Sequence, residues 1–184
     1  MTNWVAYNLR HNAMLKMDES GWVNINDLMV QSPCIKKDYP KLLIQIQHIV
    51  SIDKKKRFEI EGEKIRATNG HSVMLKKPIM TKITSAYKFA WVVHGTTEYS
   101  WKKIQECGFL KKMNRDYIHF AIDSTHLRNE SSVEIYLYLQ IDELLKDGYE
   151  LFITTNNVVA SIQDIPIQYL YLGKRPLTII IDNP

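Results

Sequence analysis

The sequence predicts an α+β protein. Apolar residues recur at helical spacing through the first fifty positions, and the period drops to two around residues 57–67. A strand signal then dominates the second half. It is strictest in 133–141, where Val133, Ile135, Leu137, Leu139 and Ile141 alternate with Glu134, Tyr136, Tyr138 and Gln140.

Each element follows from its local pattern. Val5, Leu9, Ala13 and Met17 form one i, i+4 row, which predicts an amphipathic helix over 3–17 closed by "DESG", with Trp22 and Val23 re-entering the core. Arg10 and His11 fall off that row, so packing does not require them there. "NINDLMVQ" predicts a short second helix with Asn26 as N-cap. "DYPKLLIQIQHIV" predicts a third, with Pro40 in its first turn and Leu42, Leu43, Ile46, Ile49 and Val50 as the stripe. "RFEIEGEKIRA" reads as a hairpin about a Glu-Gly-Glu turn. Three helices followed by a hairpin is the plan of a winged helix, a module often used to hold nucleic acid.

Residues 76–88 read as a connection, so the expected division is 1–80 and 81–184. Beyond it, "FAWVVHGT", "YIHFAID", "SVEIYLYLQID", "YELFITTNNVVASI" with a turn at Asn156-Asn157, and "PLTIIIDN" read as strands. "SWKKIQECGF" reads as a helix stopped by Gly108. The second region is therefore expected to be mostly β, with one or two helices.

Composition narrows the class. Apolar residues at 45% and charged residues at 24% are those of a soluble globular chain rather than a disordered one. The start lacks the plan of a secretory signal, and no apolar run approaches a membrane span of ~20 residues. Cys34 and Cys107 form no C-x-x-C pattern, so the expectation is a reduced, intracellular protein, cytoplasmic or nuclear, with a monomer as the default. The net charge of +4 splits unevenly: residues 1–115 carry +10 and residues 116–184 carry −6. A basic first part points to a polyanion partner, although a solvated lysine excess produces the same balance. The run Lys54, Lys55, Lys56 and Arg57, with Lys36 and Lys37, suits a salt-dependent grip on an RNA backbone. Lysines guarding a strand edge give the same pattern.

No P-loop, G-x-G-x-x-G, H-E-x-x-H or G-x-S-x-G occurs, and the six histidines show no metal-ligand spacing, so no metal is expected. "HGT" at 94–96 ends an apolar strand, where Gly lets a ligand approach the backbone. Read singly, that tripeptide is equally a turn with a capping Thr, and Arg66 and Arg128 are solvated arginines.

Taken in order, "LRH", "D-x-x-GWV", "DK-x-x-RFE", "IRA-x-x-GHS", "HGT" and "M-x-R-x-x-IHF" are a specific set. From about residue 8 to 170 the chain resembles the NAD-dependent RNA 2′-phosphotransferases. Two positions depart from the family pattern: Asn69 stands where Gln is usual, and Leu127 where Gly is usual.

The resemblance implies an N-terminal winged-helix RNA lobe and a C-terminal lobe of the ADP-ribosyltransferase fold. It implies a catalytic set of Arg10, His11, Arg66 and Arg128. His94, Gly95 and Thr96 would hold NAD, together with His119, Val158 and Arg115, while His71 and Ser72 would join Lys54–Arg57 in contacting RNA. The implied reaction moves an RNA 2′-phosphate, typically at a tRNA splice junction, to NAD through an ADP-ribosylated RNA intermediate, with no metal. Two alternatives stay open: an ADP-ribosyltransferase that caps phosphorylated nucleic-acid ends, and an RNA-phosphate-binding module without turnover.

Overall fold

The computed structural model describes residues 1–31, 39–72, 75–77, 80–86, 89, 91–127 and 130–176. It divides into two compact units: Met1–Ile79 with Asn114–Asp116, and Met80–Met113 with Tyr117–Pro184. Lys36, Lys37, Cys34, Arg128 and most of "PLTIIIDN" lie outside the described residues.

The first unit starts with α1 (Thr2–His11). The helix stops six residues short of the expected span because Asn12 diverts the backbone. Its side chain accepts from the Met14 N–H at 3.0 Å and donates to Asn8 Oδ1 at 2.9 Å, competing with the helical ladder. Val5 and Leu9 are buried as the apolar row requires, whereas Ala13 is exposed and Leu15 enters the core instead. "DESG" is a separate turn. Asp18 Oδ1 accepts from the N–H groups of Ser20 and Trp22, and Gly21 takes a φ of 84°.

Next come β1 (Val23–Asn24) and α2 (Ile25–Val30). The N-cap is Asn24 rather than Asn26: Asn24 Oδ1 accepts from the Asn26 N–H at 2.8 Å. Helix α3 (Tyr39–Ile52) buries Leu42, Ile46 and Ile49. Strands β2 (Phe58–Glu61) and β3 (Lys64–Ala67) form the expected hairpin, and β1 adds to it, giving an antiparallel sheet of order β1-β3-β2. The core of this unit joins Val5 and Leu9 to Val23, Leu28, Met29, Ile46, Phe58 and Ile65.

The second unit is built on a seven-stranded sheet. Its strands are β4 (Met80–Lys82), β5 (Val93–Thr96), β7 (Ile118–Ala121), β8 (Ile135–Leu139), β9 (Leu151–Thr154), β10 (Val158–Ser161) and β12 (Leu170–Gly173). The order is β12-β8-β5-β7-β10-β9-β4, with antiparallel neighbours throughout. Strand β4 falls inside what the sequence suggested was a connection. A separate pair joins β6 (Phe109–Leu110) to β11 (Ile165–Pro166). Helix α4 (Glu98–Cys107) is capped by Thr97 and ends at Gly108 with φ 76°, where only glycine is at ease. Helix α5 (Ile141–Lys146) continues directly from β8, so the alternating run gives way to a helix at Ile141.

Leu137, Leu139, Phe120 and Val159 fill the large core on one face of the sheet. Val93, Ala121, Val133 and Tyr136 form a smaller cluster on the other. The mixed helices and antiparallel sheets are those of an α+β protein.

Candidate active site

In the first unit, the last turn of α1 and the segment that leaves β3 are clasped together. The Ser72 N–H donates to the Arg10 carbonyl at 2.9 Å, and Ser72 Oγ lies 2.9 Å from His11 Nδ1. Arg10 Nη2 donates to Asn69 Oδ1 at 3.4 Å. Gly70 lies flat against the Arg10 guanidinium: with φ at 80°, a Cβ there would sit 3.3 Å from Arg10 Cζ. Glycine at that position thus serves both the turn and the close approach.

Arg66 reaches the same cluster from β3. The hairpin register sets it opposite Glu59, and its Nε donates to Glu59 Oε2 at 2.7 Å while Nη2 donates to the same oxygen. The Trp22 ring covers one face of the guanidinium, 4.5 Å away. Arg66 is buried, 6% exposed, whereas Arg10 is half-buried and His11 exposed. That gradient runs from a fixed guanidinium outward to an imidazole open to a ligand.

The electrostatics are those of crowded cations. Burial first, then the charges of Arg57 and Arg115, hold the Arg10 guanidinium down at about 10, with Asp53 opposing. His11 is lowered by burial, then by Arg10 and Arg115, so its neutral form prevails at pH 7. His71 is buried among Arg10, His11 and Arg66, and burial followed by those three brings it to about 4. Arg10 Nε and His71 Nε2 are buried without a hydrogen-bond partner among the described residues. An unpartnered Arg10 Nε–H in this crowd of positive charge is what an anion would relieve.

The basic run divides. Lys54 and Lys56 are exposed, with Lys56 at a φ of 45° in its turn, and Lys55 is half-buried. Arg57 turns inward: its Nε and Nη2 donate to Asp53 Oδ1 at 3.0 and 2.8 Å, close enough for its charge to act on Arg10. Burial pushes the Asp53 carboxyl up, but its bonds with Arg57 together outweigh this and leave it low. Ser72 is exposed and bonds His11, whereas His71 is buried under Gly21, where a Cβ would meet His71 Nε2 at 3.4 Å. Arg115 is exposed, on the segment grouped with this unit.

The second-unit motif is a sheet feature. His94 Nδ1 donates to the His119 carbonyl at 3.0 Å, which fixes the orientation of the ring. The His94 ring meets Phe120 edge-on at 5.8 Å. His94 pairs with Leu137 and Thr96 with Ile135, on the side of the large core. Gly95 pairs with Tyr136 on the opposite side, the side that alternation also gives His119 and Val158. Thr96 and Val158 are buried; His94 and His119 are half-buried.

Two contributors were given no site role by the sequence, although both stand in quoted motifs. Glu59 closes "DK-x-x-RFE" and Trp22 lies in "D-x-x-GWV". A two-residue turn at Gly62-Glu63 sets positions 59 and 66 opposite each other, and that was available from the hairpin. Trp22 read as a core residue and is half-buried against Arg66. Among the described residues no group of three or more His, Cys, Asp or Glu could hold a metal, and no helix is long and apolar enough to cross a membrane.

A small α+β unit that gathers two arginines and an imidazole beside the unsatisfied Arg10 Nε–H has the chemistry that suits an anion. Residues 2–163 match the model of the RNA 2′-phosphotransferase, Tpt1/KptA family, and the chain belongs to that family; it is a transferase. Similar proteins include the probable RNA 2′-phosphotransferases of Rhizobium leguminosarum bv. trifolii and Pyrococcus horikoshii. The first is 30% identical over 92% of this chain and 91% of its own. The second is 31% identical over 89% of this chain and 92% of its own. That of Rhizobium rhizogenes is 29% identical over 92% and 91%.

Proposed function

We propose that the protein removes 2′-phosphate groups from RNA, typically the splice-junction phosphate of tRNA, by transferring them to NAD. The observation that carries this reading is the gathering of Arg10, His11 and Arg66 about His71, with a buried, unpartnered Arg10 Nε. In this reading the three helices and the β1-β3-β2 sheet act as a winged-helix RNA lobe. The seven-stranded unit acts as an ADP-ribosyltransferase-type lobe.

The first step needs alignment more than a base, because a phosphate dianion is already nucleophilic. A phosphate oxygen bonds to the anomeric carbon of the nicotinamide ribose as the bond to nicotinamide breaks. In the second step the adjacent ribose O2″ bonds to phosphorus and the bond to the RNA 2′-oxygen breaks. The products are 2′-OH RNA and ADP-ribose 1″,2″-cyclic phosphate. Arg10 and Arg66 grip the phosphate oxygens and offset the charge that builds on phosphorus; Arg128 joins them by family resemblance. His11, neutral at pH 7, takes the proton that O2″ loses and returns it to the departing RNA oxygen.

NAD is the second substrate, and the chemistry of the donor set fits it. The Nδ1 bond to the His119 carbonyl orients the His94 ring, and by resemblance that ring meets the ribose end of NAD. Gly95, Thr96, His119, Val158 and Arg115 complete that assignment by resemblance. Lys54, Lys55 and Lys56 attract RNA backbone in a salt-dependent way.

The test is incubation with a 2′-phosphorylated oligonucleotide and NAD. Release of 2′-OH RNA with cyclic-phosphate ADP-ribose is the expected result. A stable ADP-ribosylated RNA would instead mean a capping enzyme, and binding without turnover a phosphate-binding module.

A further inference from the structure

We infer that Glu59 and Trp22 are positioning residues that hold Arg66 in its working orientation, an inference that rests on the function proposed above. Glu59 and Arg66 face each other across the β2–β3 register, so the backbone itself delivers the carboxylate to the guanidinium. The contact is one-sided. Both Nε and Nη2 converge on Oε2 of Glu59, which fixes the inner edge of the guanidinium and leaves Nη1 for a ligand. Trp22 at 4.5 Å fixes the plane from one face. One edge and one face together determine the orientation of a planar group.

The neighbouring cation is held differently. Arg10 leans on Asn69 Oδ1 at 3.4 Å and on Gly70, both neutral, and keeps its full charge. Arg66, buried, gives up part of its pull on an anion to Glu59 and is held in one orientation in return. A guanidinium already ordered before the anion arrives loses no freedom on binding, so its two-oxygen grip is available to the transition state. Trp22 is itself fixed by the Asp18 turn, where its N–H donates to Asp18 Oδ1 at 3.0 Å. The Asp18–Trp22 turn thereby acts on Arg66 through one ring.

The experiment compares Glu59→Ala, Glu59→Gln and Trp22→Leu in the full chain, with turnover of a 2′-phosphorylated oligonucleotide as one readout. The second readout is the Arg66 Nε–Hε resonance in a ¹⁵N spectrum, assigned with Arg66→Lys. Glu59→Ala is expected to lower kcat by roughly 10–100-fold, the scale of a misplaced reacting group, with KM for NAD unchanged. Glu59→Gln, which keeps an acceptor oxygen, restores most of that rate. In an Arg66→Lys background Glu59→Ala adds little further loss. The Nε–Hε signal is sharp in the wild type and broadens in Glu59→Ala and Trp22→Leu.

Full turnover by a folded Glu59→Ala would overturn the inference, as would an undiminished loss in the Arg66→Lys background. If the wild type itself fails to turn over the oligonucleotide, the proposed function falls. The resonance then decides alone: a signal unchanged by Glu59→Ala refutes positioning, and a broadened one upholds it.

Discussion

In the first unit, Arg10 and His11 at the end of a helix and Arg66 on a strand all act on the buried His71, in a setting crowded with positive charge. In the second, His94, Gly95 and Thr96 lie in the middle of a seven-stranded sheet and divide between its two faces. The first arrangement stores electrostatic discontent: buried donors, depressed imidazoles and a lowered guanidinium. The second stores shape, since a central strand fixes where its backbone and alternate side chains point. Folding forces the second geometry through ladder pairing, whereas the first persists against mutual repulsion because Asp53, Glu59, Asn69 and Ser72 hold it.

The contrast can be broken most forcefully at the cations. Arg66→Ala or His11→Ala should slow product formation by about 10²–10³-fold, the typical cost of one preorganised donor or acid-base group. Both variants should remain folded, which circular dichroism would check. Full activity in both would remove the first unit from the chemistry.

The next largest effect is on acid stability. His71 is held at about 4 against an ordinary value of 6.5. Between those values the unfolded chain binds a proton that the folded one refuses, so stability is complete above pH 6.5 and falls as pH drops toward 4. By pH 4.5 the loss from this residue is about 2–3 kcal/mol. Urea titrations at pH 7 and 4.5 should show it, and His71→Leu should flatten that part of the profile.

A smaller effect sharpens the other side of the contrast. A Cβ at Gly95 would sit 3.0 and 3.1 Å from the two Val133 methyls. Gly95→Ala should therefore cost about 1–3 kcal/mol by overpacking, measured as a lower urea midpoint, and Val133→Ala in the same chain should relieve it. Activity that stays low in the double variant would assign Gly95 a ligand as well as a packing role. Smallest is Asn24→Ala, which removes the α2 cap and should cost about 1 kcal/mol by the same titration.

The sequence alone determined the α+β class, the hairpin, α3, the Gly108 stop and the Asn156-Asn157 turn, because each rests on local periodicity or on a residue with special backbone freedom. It also singled out Arg10 and His11 as residues their helix does not bury. Local pattern could not resolve competition between neighbours for the same backbone groups. Asn12 ended α1 early, Asn24 displaced Asn26 as the cap, and the alternating run became α5 at Ile141.

Only the tertiary structure decided what each charge does. Arg57 pairs with Asp53 and acts on Arg10, Ser72 bonds His11 at the surface, His71 is buried among the cations, and Glu59 with Trp22 flanks Arg66. The physical reason is distance. Periodicity is a property of residues within one turn or one strand, but the energy of a charge depends on groups sixty positions away and on the water that folding removes.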